Sequence, residues 1–269
     1  MVSTNITVDH ATTGLVTAEV TAAEQISPTF MRLTIEGEEL AEWRHLGYDQ
    51  WFRLAIPVAG EATRFDRLSQ RFDMKGYLRY VSLPRATRPA IRNYTVREFD
   101  PASGRMLVDF VLHGADPAHA GIAGPWAESR PVGARVGLID QGCGYRHFEG
   151  AERVVLVGEE TALPAVAGIL RDLPRDAVGH AIIEVPDKAD REELAGPEGV
   201  EVRWLIRTDE RTPGAAALEE LVGLAIPSGP LSAFVAGEQK LASGGRRHLV
   251  GECGFDKAAV DFCGYWRAK

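Results

Sequence analysis

Between residue 14 and about residue 140, short runs of alternating apolar and polar positions recur, each broken by turn-forming residues. The runs at 15–20, 29–35, 51–57, 92–98 and 106–112 have strand length, and 132–139 closes the series as one more strand. Period-two alternation of that length, with few long helical patterns between, predicts an antiparallel barrel or sandwich. From residue 152 the pattern changes. Apolar runs at 154–157, 180–185, 200–206 and 231–236 are separated by helical spacing, clearest at 163–173 and 215–224. Apolar strands alternating with helices predict a parallel sheet, because parallel neighbours need crossover connections. The expected fold class is β-barrel plus α/β. An antiparallel barrel domain over residues 1–148 precedes a doubly wound, mostly parallel domain over residues 149–269, with the boundary in the loop 141–151.

Composition narrows the function classes. With 269 residues, 45% hydrophobic and 25% charged, the chain can bury a substantial core. Its 30 Lys+Arg against 38 Asp+Glu give a net charge of −8, which argues against general nucleic-acid binding. No run approaches the roughly 18 apolar residues of a membrane span, and the polar first 17 residues lack the apolar region of a secretory signal. Cys143, Cys253 and Cys263 are an odd number at long spacings without a CxxC pair, so neither a disulfide framework nor a cysteine zinc site is expected. The seven histidines show no HxxxH or HExxH spacing, so no metal site is expected. No carboxylate dyad or Cys/His pair stands out for acid–base or nucleophilic work. A cytoplasmic, monomeric protein with a small-molecule substrate fits these bounds.

The stretch Arg92-Asn93-Tyr94-Thr95-Val96-Arg97 is the most informative. On a strand, Arg92, Tyr94 and Val96 face one way and Asn93, Thr95 and Arg97 the other. An aromatic ring beside a hydroxyl and a fixed cation suits a flavin: ring over isoalloxazine, hydroxyl at the redox nitrogen, guanidinium at pyrophosphate. The same hexapeptide also reads as an ordinary strand with an amphipathic tyrosine and exposed arginines. Downstream lie Asp109-Phe110-Val111-Leu112-His113-Gly114 and the Gly/Ala-rich turn Gly121-Ile122-Ala123-Gly124-Pro125-Trp126, whose backbone N–H groups could cradle a pyrophosphate. Then come Gly158-Glu159-Glu160-Thr161-Ala162-Leu163-Pro164-Ala165, Ala236-Gly237-Glu238 and Gly264-Tyr265-Trp266-Arg267.

In this order and combination the motifs closely resemble those of the siderophore-interacting proteins, or ferric-siderophore reductases, a branch of the ferredoxin–NADP reductase superfamily. The resemblance runs from about residue 15 to the end of the chain. It implies an FAD-binding barrel and an NAD(P)H-binding α/β domain. It further implies that Tyr94 stacks on the isoalloxazine, Thr95 bonds near its N5, and Arg92 meets the FAD phosphates. Asp109, Val111 and His113 would lie in the cofactor-binding stretch, with Gly121, Ala123 and Gly124 in the pyrophosphate turn. Thr161, Ala162, Gly237 and Glu238 would sit on the nucleotide side. Three positions depart from the family pattern: Ile122 replaces a proline, Glu159 replaces an aspartate, and Gly244-Gly245 interrupt a stretch the family keeps helical.

One feature is legible without the family. Residues 64–92 hold Arg64, Arg67, Arg71, Lys75, Arg79, Arg85, Arg88 and Arg92 against only Asp66 and Asp73. The first five recur at spacings of three and four, so a helix would gather them on one face and attract an anionic substrate. A solvated basic surface reads equally well. The resemblance assigns Arg53 to a basic position in the siderophore site, Arg267 to a second wall, and Lys75 and Arg79 to its surroundings. Glu184 ends an apolar strand and could meet a ribose or be a surface acid; Arg207 could meet a 2′-phosphate. The expected activity is an FAD-dependent reductase passing electrons from NADH or NADPH to a ferric siderophore. The rivals are an FAD reductase serving a protein such as a ferredoxin, and a non-catalytic siderophore-binding protein.

Overall fold

A computed structural model of the chain describes residues 3–8, 13–58, 63–112, 121–148, 150–208 and 211–268. These residues fall into two compact units: 8–46 with 50–142, and 1–7 with 47–49 and 143–269.

The first unit holds β1 (Leu15–Gln25), β2 (Phe30–Glu36), β3 (Trp51–Ile56), α1 (Met74–Val81), β4 (Ala90–Thr95), β5 (Glu98–Asp100), β6 (Arg105–Val111), α2 (Ala123–Glu128) and β7 (Arg135–Asp140). Its seven strands form one sheet in the order β4-β3-β7-β1-β2-β6-β5, with every pairing antiparallel. Alternation decides which side is buried: Val16, Ala18 and Val20 of β1, and Met106, Val108 and Phe110 of β6, point into the same core. The sheet curls on itself. Four strands separate β4 from β6 in the sheet order, yet the Tyr94 and Phe110 rings lie 4.1 Å apart. The run expected at 132–139 becomes strand only at Arg135, because Gly133 takes a left-handed turn (φ 83°).

The second unit holds β8 (Arg153–Glu159), α3 (Leu163–Asp172), β9 (Gly179–Val185), β10 (Val200–Ile206), α4 (Ala215–Gly223), β11 (Leu231–Glu238), α5 (Gln239–Arg246) and β12 (Val260–Trp266). Its five strands are all parallel, in the order β10-β9-β8-β11-β12. The chain steps outward from β8 to β9 and β10, then returns to lay β11 on the other side of β8. The order therefore reverses between β8 and β11. That is the topological switch point where open α/β sheets bind ligands at the carboxyl ends of their strands. Val155 and Val235 pack with Leu221 of α4 and Leu241 of α5. Helix α5 runs through Gly244 and Gly245, contrary to the expected interruption. The two glycines let α5 close in on α4 and on β11: a Cβ would come within 2.7 Å of Leu218 at Gly244 and 2.8 Å of Val235 at Gly245. Strand β12, not foreseen, closes one side of the sheet and bonds to Thr4 and Asn5.

Residues 47–49 belong to this unit through α3. A Cβ on Gly168 would lie 2.0 Å from the Tyr48 carbonyl oxygen, a backbone atom that cannot swing aside. Gly168→Ala is therefore expected to destabilise the protein by about 1–3 kcal/mol despite alanine's better helix propensity. Gly223→Ala in α4, where nothing lies within 4 Å, supplies the control and should be neutral or slightly stabilising. Thermal melts of the two variants separate these outcomes; equal melting points would refute the close approach.

Candidate functional site

In the antiparallel unit, β4 keeps the alternation expected of it. Arg92 and Tyr94 sit opposite Leu54 and Phe52 of β3, whereas Asn93 and Thr95 sit opposite Arg53 and Trp51. Directly opposed residues share a face, so Thr95 and Arg53 are diagonal neighbours on one side of the sheet. Tyr94 is half-buried on the other side. Its ring leans on Phe110, and Phe110 in turn lies 5.9 Å from Trp126 of α2, so an aromatic row links β4 to the Gly/Ala-rich turn. Burial pushes the Tyr94 phenol above its ordinary range, against the pull of Arg92. It is neutral at physiological pH.

The turn has the features an anion needs. Gly121 is left-handed (φ 59°) with open space where a Cβ would stand, and Ile122 precedes α2 without a side-chain cap. The first N–H groups of a helix lack intrahelical acceptors, so those of Ala123 and Gly124 remain for a ligand. Gly124 lies against the end of β6, its Cβ position 3.5 Å from the Val111 carbonyl oxygen. Among the described residues Thr95 Oγ1 has no hydrogen-bond partner and Arg92 no carboxylate. The buried indole N–H of Trp51, opposite Thr95, also lacks an acceptor there. Exposed glycine turn, unoccupied donors and half-buried aromatic ring fit an FAD. Asp109 stands differently: its carboxylate is buried under Arg32 (2.6 and 2.8 Å) and Arg97 (3.6 Å), so it fixes two guanidinium groups. His113 lies outside the described residues.

Arg53 is the unusual cation. Its guanidinium stacks 4.3 Å from the Phe72 ring centroid, and its Nε donates to Gln141 Oε1 at 3.0 Å. Gln141 is buried and its amide nitrogen donates to the Ile139 and Asp140 carbonyls, which orients the oxygen toward Arg53. Burial lowers the Arg53 pKa, as it must for a cation held without a carboxylate partner among the described residues. The rest of the basic segment corrects the expectation of one five-cation helix. Arg64 and Arg67 flank a 3-10 turn and pair with Asp66, Phe65 and Leu68 turn in against Ala55, and a new helix starts only at Asp73. Asp73 caps α1 by accepting the Gly76 N–H at 2.8 Å. Only Lys75 and Arg79 ride on α1, both exposed and without ion-pair partners among the described residues.

In the α/β unit, Thr161, Gly237 and Trp266 converge on Glu159, at the switch point. The Thr161 amide (3.0 Å) and hydroxyl and the Trp266 indole N–H (3.0 Å) all donate to its carboxyl. Gly237 adopts φ 120°, and a Cβ there would stand 2.5 Å from Glu159 Oε1, so only glycine admits the group. Burial and the adjoining Glu160 push the Glu159 pKa well up. Ala162 is fully buried, and Glu238 caps α5 while accepting the Ala268 N–H at 3.1 Å. Arg267 is exposed just past β12. Glu184 is not the surface acid of one sequence reading, and Arg207 is held beside it. Glu184 is completely buried, accepting the Gly214 (2.8 Å) and Ala217 (3.0 Å) N–H groups at the start of α4. Arg207 bridges Glu160 (2.7 and 2.7 Å) and Glu184 (3.2 Å) and is spent on them. Burial alone would lower its pKa, but the two carboxylates hold it above the ordinary value.

Among the described residues no helix is long and apolar enough to cross a membrane, and no group of three or more His, Cys, Asp or Glu is placed to hold a metal ion. A curled antiparallel sheet with a flavin cradle, followed by a parallel sheet with an open switch point, defines the ferredoxin–NADP reductase class of two-unit folds. A ferredoxin NADP+ reductase from Neisseria gonorrhoeae, 12% identical, shares that fold at a TM-score of 0.59 over 90% of this chain and 93% of its own. Residues 19–143 match the siderophore-interacting FAD-binding domain and residues 151–269 the siderophore-interacting protein family. The chain belongs to the siderophore-interacting protein family. It is 32% identical over 260 residues to an uncharacterised protein of Mycobacterium tuberculosis, covering 93% of this chain and 89% of that one. It is 31% identical over 182 residues to the ferric vibriobactin reductase ViuB of Vibrio cholerae, covering 67% of this chain and 65% of ViuB. The crystal structure of a siderophore utilization protein from T. fusca, 30% identical, superposes with a TM-score of 0.77 over 97% of this chain and 95% of its own.

Proposed function

We propose that this protein is an FAD-dependent reductase that takes reducing equivalents from NADH or NADPH and delivers single electrons to an anionic ferric siderophore. Arg53 is the observation that carries the substrate side. It is a half-buried guanidinium, braced by Phe72 and Gln141, with no carboxylate partner among the described residues, on the same sheet face as Thr95. A partly desolvated cation attracts an anion more strongly than one fully in water. The likeness to ViuB, a ferric vibriobactin reductase, supports the same chemistry.

FAD, when bound, supplies the conversion of two-electron hydride donation into one-electron transfer. The chain's own residues bind and orient. Tyr94 offers its ring, Thr95 Oγ1 a hydrogen bond, Arg92 a cation for phosphate, and Ala123 and Gly124 their N–H groups. The switch point at Thr161, Ala162, Gly237 and Glu238 would take the nicotinamide nucleotide, with Glu159 holding Thr161 and Trp266 in place. Ferric iron arrives as substrate inside its chelate, so no resident metal is required. Hard-oxygen chelators hold Fe³⁺ far better than Fe²⁺, and reduction by itself loosens the cargo.

Stopped-flow on the two half-reactions tests this reading. Arg53→Ala is expected to raise the KM for an anionic ferric siderophore by about tenfold, equivalent to roughly 1.4 kcal/mol. Reduction of the flavin by NADH or NADPH should stay nearly unchanged. The wild type should lose chelate affinity as salt rises, and the variant less steeply. Slowed flavin reduction with intact chelate turnover would overturn the assignment.

A further inference from the structure

Outside the site described above, one cluster of reactive side chains is assembled on the far end of the α5 segment. Helix α5 passes into a π-turn, Arg247–Glu252, with Cys253 at its end. In an α-helix, residues five apart point about 140° away from each other around the axis, so they cannot meet. The π-turn removes that obstacle. The Cys253 N–H bonds to the His248 carbonyl at 2.9 Å, an i to i+5 closure that carries the thiol back over the ring. Cys253 Sγ then lies 3.3 Å from His248 Nε2, while Glu252, at i+4, lies 2.8 Å from Nδ1 through Oε2. Glu252 accepts the Nδ1–H and so leaves the Nε2 lone pair facing the thiol. The ring is buried, the thiol exposed. Gly251 and Gly254 flank it with open space where side chains would stand, so a small molecule can reach the sulfur.

We propose that Cys253, His248 and Glu252 form a thiol modification site that reacts with low-molecular-weight disulfides. The array has the order nucleophile, base, orienting carboxylate that activates cysteines in unrelated enzymes. Sγ attacks one sulfur of the disulfide RSSR as His248 Nε2 takes its proton. The new S–S bond forms, the old one breaks, and the departing thiolate recovers the proton from His248 as RSH. The Cys253 sulfur is oxidised and one sulfur of the reagent is reduced, so no further oxidant is needed. Partial burial and the charge of Glu252 push the Cys253 pKa up, so the sulfur rests as the thiol and has to give up its proton as it attacks. A thiolate of high pKa is also the more nucleophilic one once the proton has moved. Cys143 and Cys263 are half-buried, and their thiols point at backbone carbonyls, that of Gly47 at 3.4 Å and that of Gly264 at 3.7 Å.

Glutathione disulfide serves as the probe, with mass spectrometry following each cysteine in the folded, flavin-loaded protein. Cys253 should be modified about tenfold faster than Cys143 or Cys263, and His248→Gln should remove most of that advantage. Because His248 is buried, the exposed Glu252→Gln variant gives an independent arm and should slow Cys253 about threefold by releasing the ring. Unchanged Cys253 rates in both variants would mean an exposed but unactivated thiol and overturn the proposal. Faster modification of Cys143 or Cys263 would overturn it as well.

Discussion

Arg207→Ala is expected to cost the α/β unit about 3–5 kcal/mol, the scale found when one member of a buried ionic group is removed. The loss comes less from the attraction forfeited than from the carboxylates left behind. Glu184 would still hold two N–H groups at the start of α4, whereas Glu160 would lose both of its bonds to Arg207. A buried carboxylate without a partner takes up a proton, so the sign of the pH dependence is fixed. The variant's folded state would bind a proton that its unfolded state releases, and the deficit would shrink as pH falls. Denaturant titrations at pH 5 and pH 8 measure this directly. Adding Glu160→Gln to Arg207→Ala should recover part of the stability at pH 8. A single variant as stable as wild type at pH 8 would show that the bridge is not holding these strand ends.

Tyr94→Ala should weaken FAD binding by about 1–3 kcal/mol, roughly fivefold to more than a hundredfold, on the scale of aromatic stacking on bases. The phenol is neutral and the ring already leans on Phe110, so the flat surface is the asset and the hydroxyl secondary. Tyr94→Phe is therefore expected to keep most of the affinity. Flavin fluorescence titration of the apoprotein gives both constants, and melts of the apo forms separate a binding defect from loss of the Phe110 contact. An unaltered constant in Tyr94→Ala would remove this residue from the cofactor site.

The strands of the α/β unit were legible because both faces of a parallel sheet are covered, which writes unbroken apolar runs such as 154–157 and 231–236. Strand β12 was not, because polar Asp261 and Cys263 alternate with Val260 and Phe262. Asp261 is buried all the same, satisfied by the Arg146 backbone N–H (2.8 Å) and guanidinium (2.7 Å), and such pairing leaves no mark in a hydrophobic pattern. The same reason explains Glu184, Arg207 and Asp109, whose partners lie 77 residues away for Asp109 and 47 for Glu160 and Arg207. Charge spacing over 64–79 suggested one helix, but the apolar demands of Phe65 and Leu68 and the cap at Asp73 cut it short. The Cys253–His248 pair escaped notice because thiol and ring are five residues apart. That spacing brings side chains together only in a π-turn, a departure that residue propensities do not announce.

The bonds from Thr4 and Asn5 to β12 join positions 258 and 255 residues apart in sequence. During synthesis these early residues must wait, unpaired, while the rest of the chain is made. The Asp49 carboxyl waits a shorter time, 95 and 96 residues, for the Gly144 and Tyr145 N–H groups it accepts. The barrel strands, by contrast, find all their partners by residue 140. The antiparallel unit can therefore close while the ribosome is still at work, but the parallel sheet completes its last edge only after residue 266 has left the exit tunnel. Contacts of such long sequence separation slow folding. The nucleotide-side sheet thus matures after the antiparallel unit, and a nascent chain can hold a finished flavin cradle before it has anywhere to bind a nicotinamide.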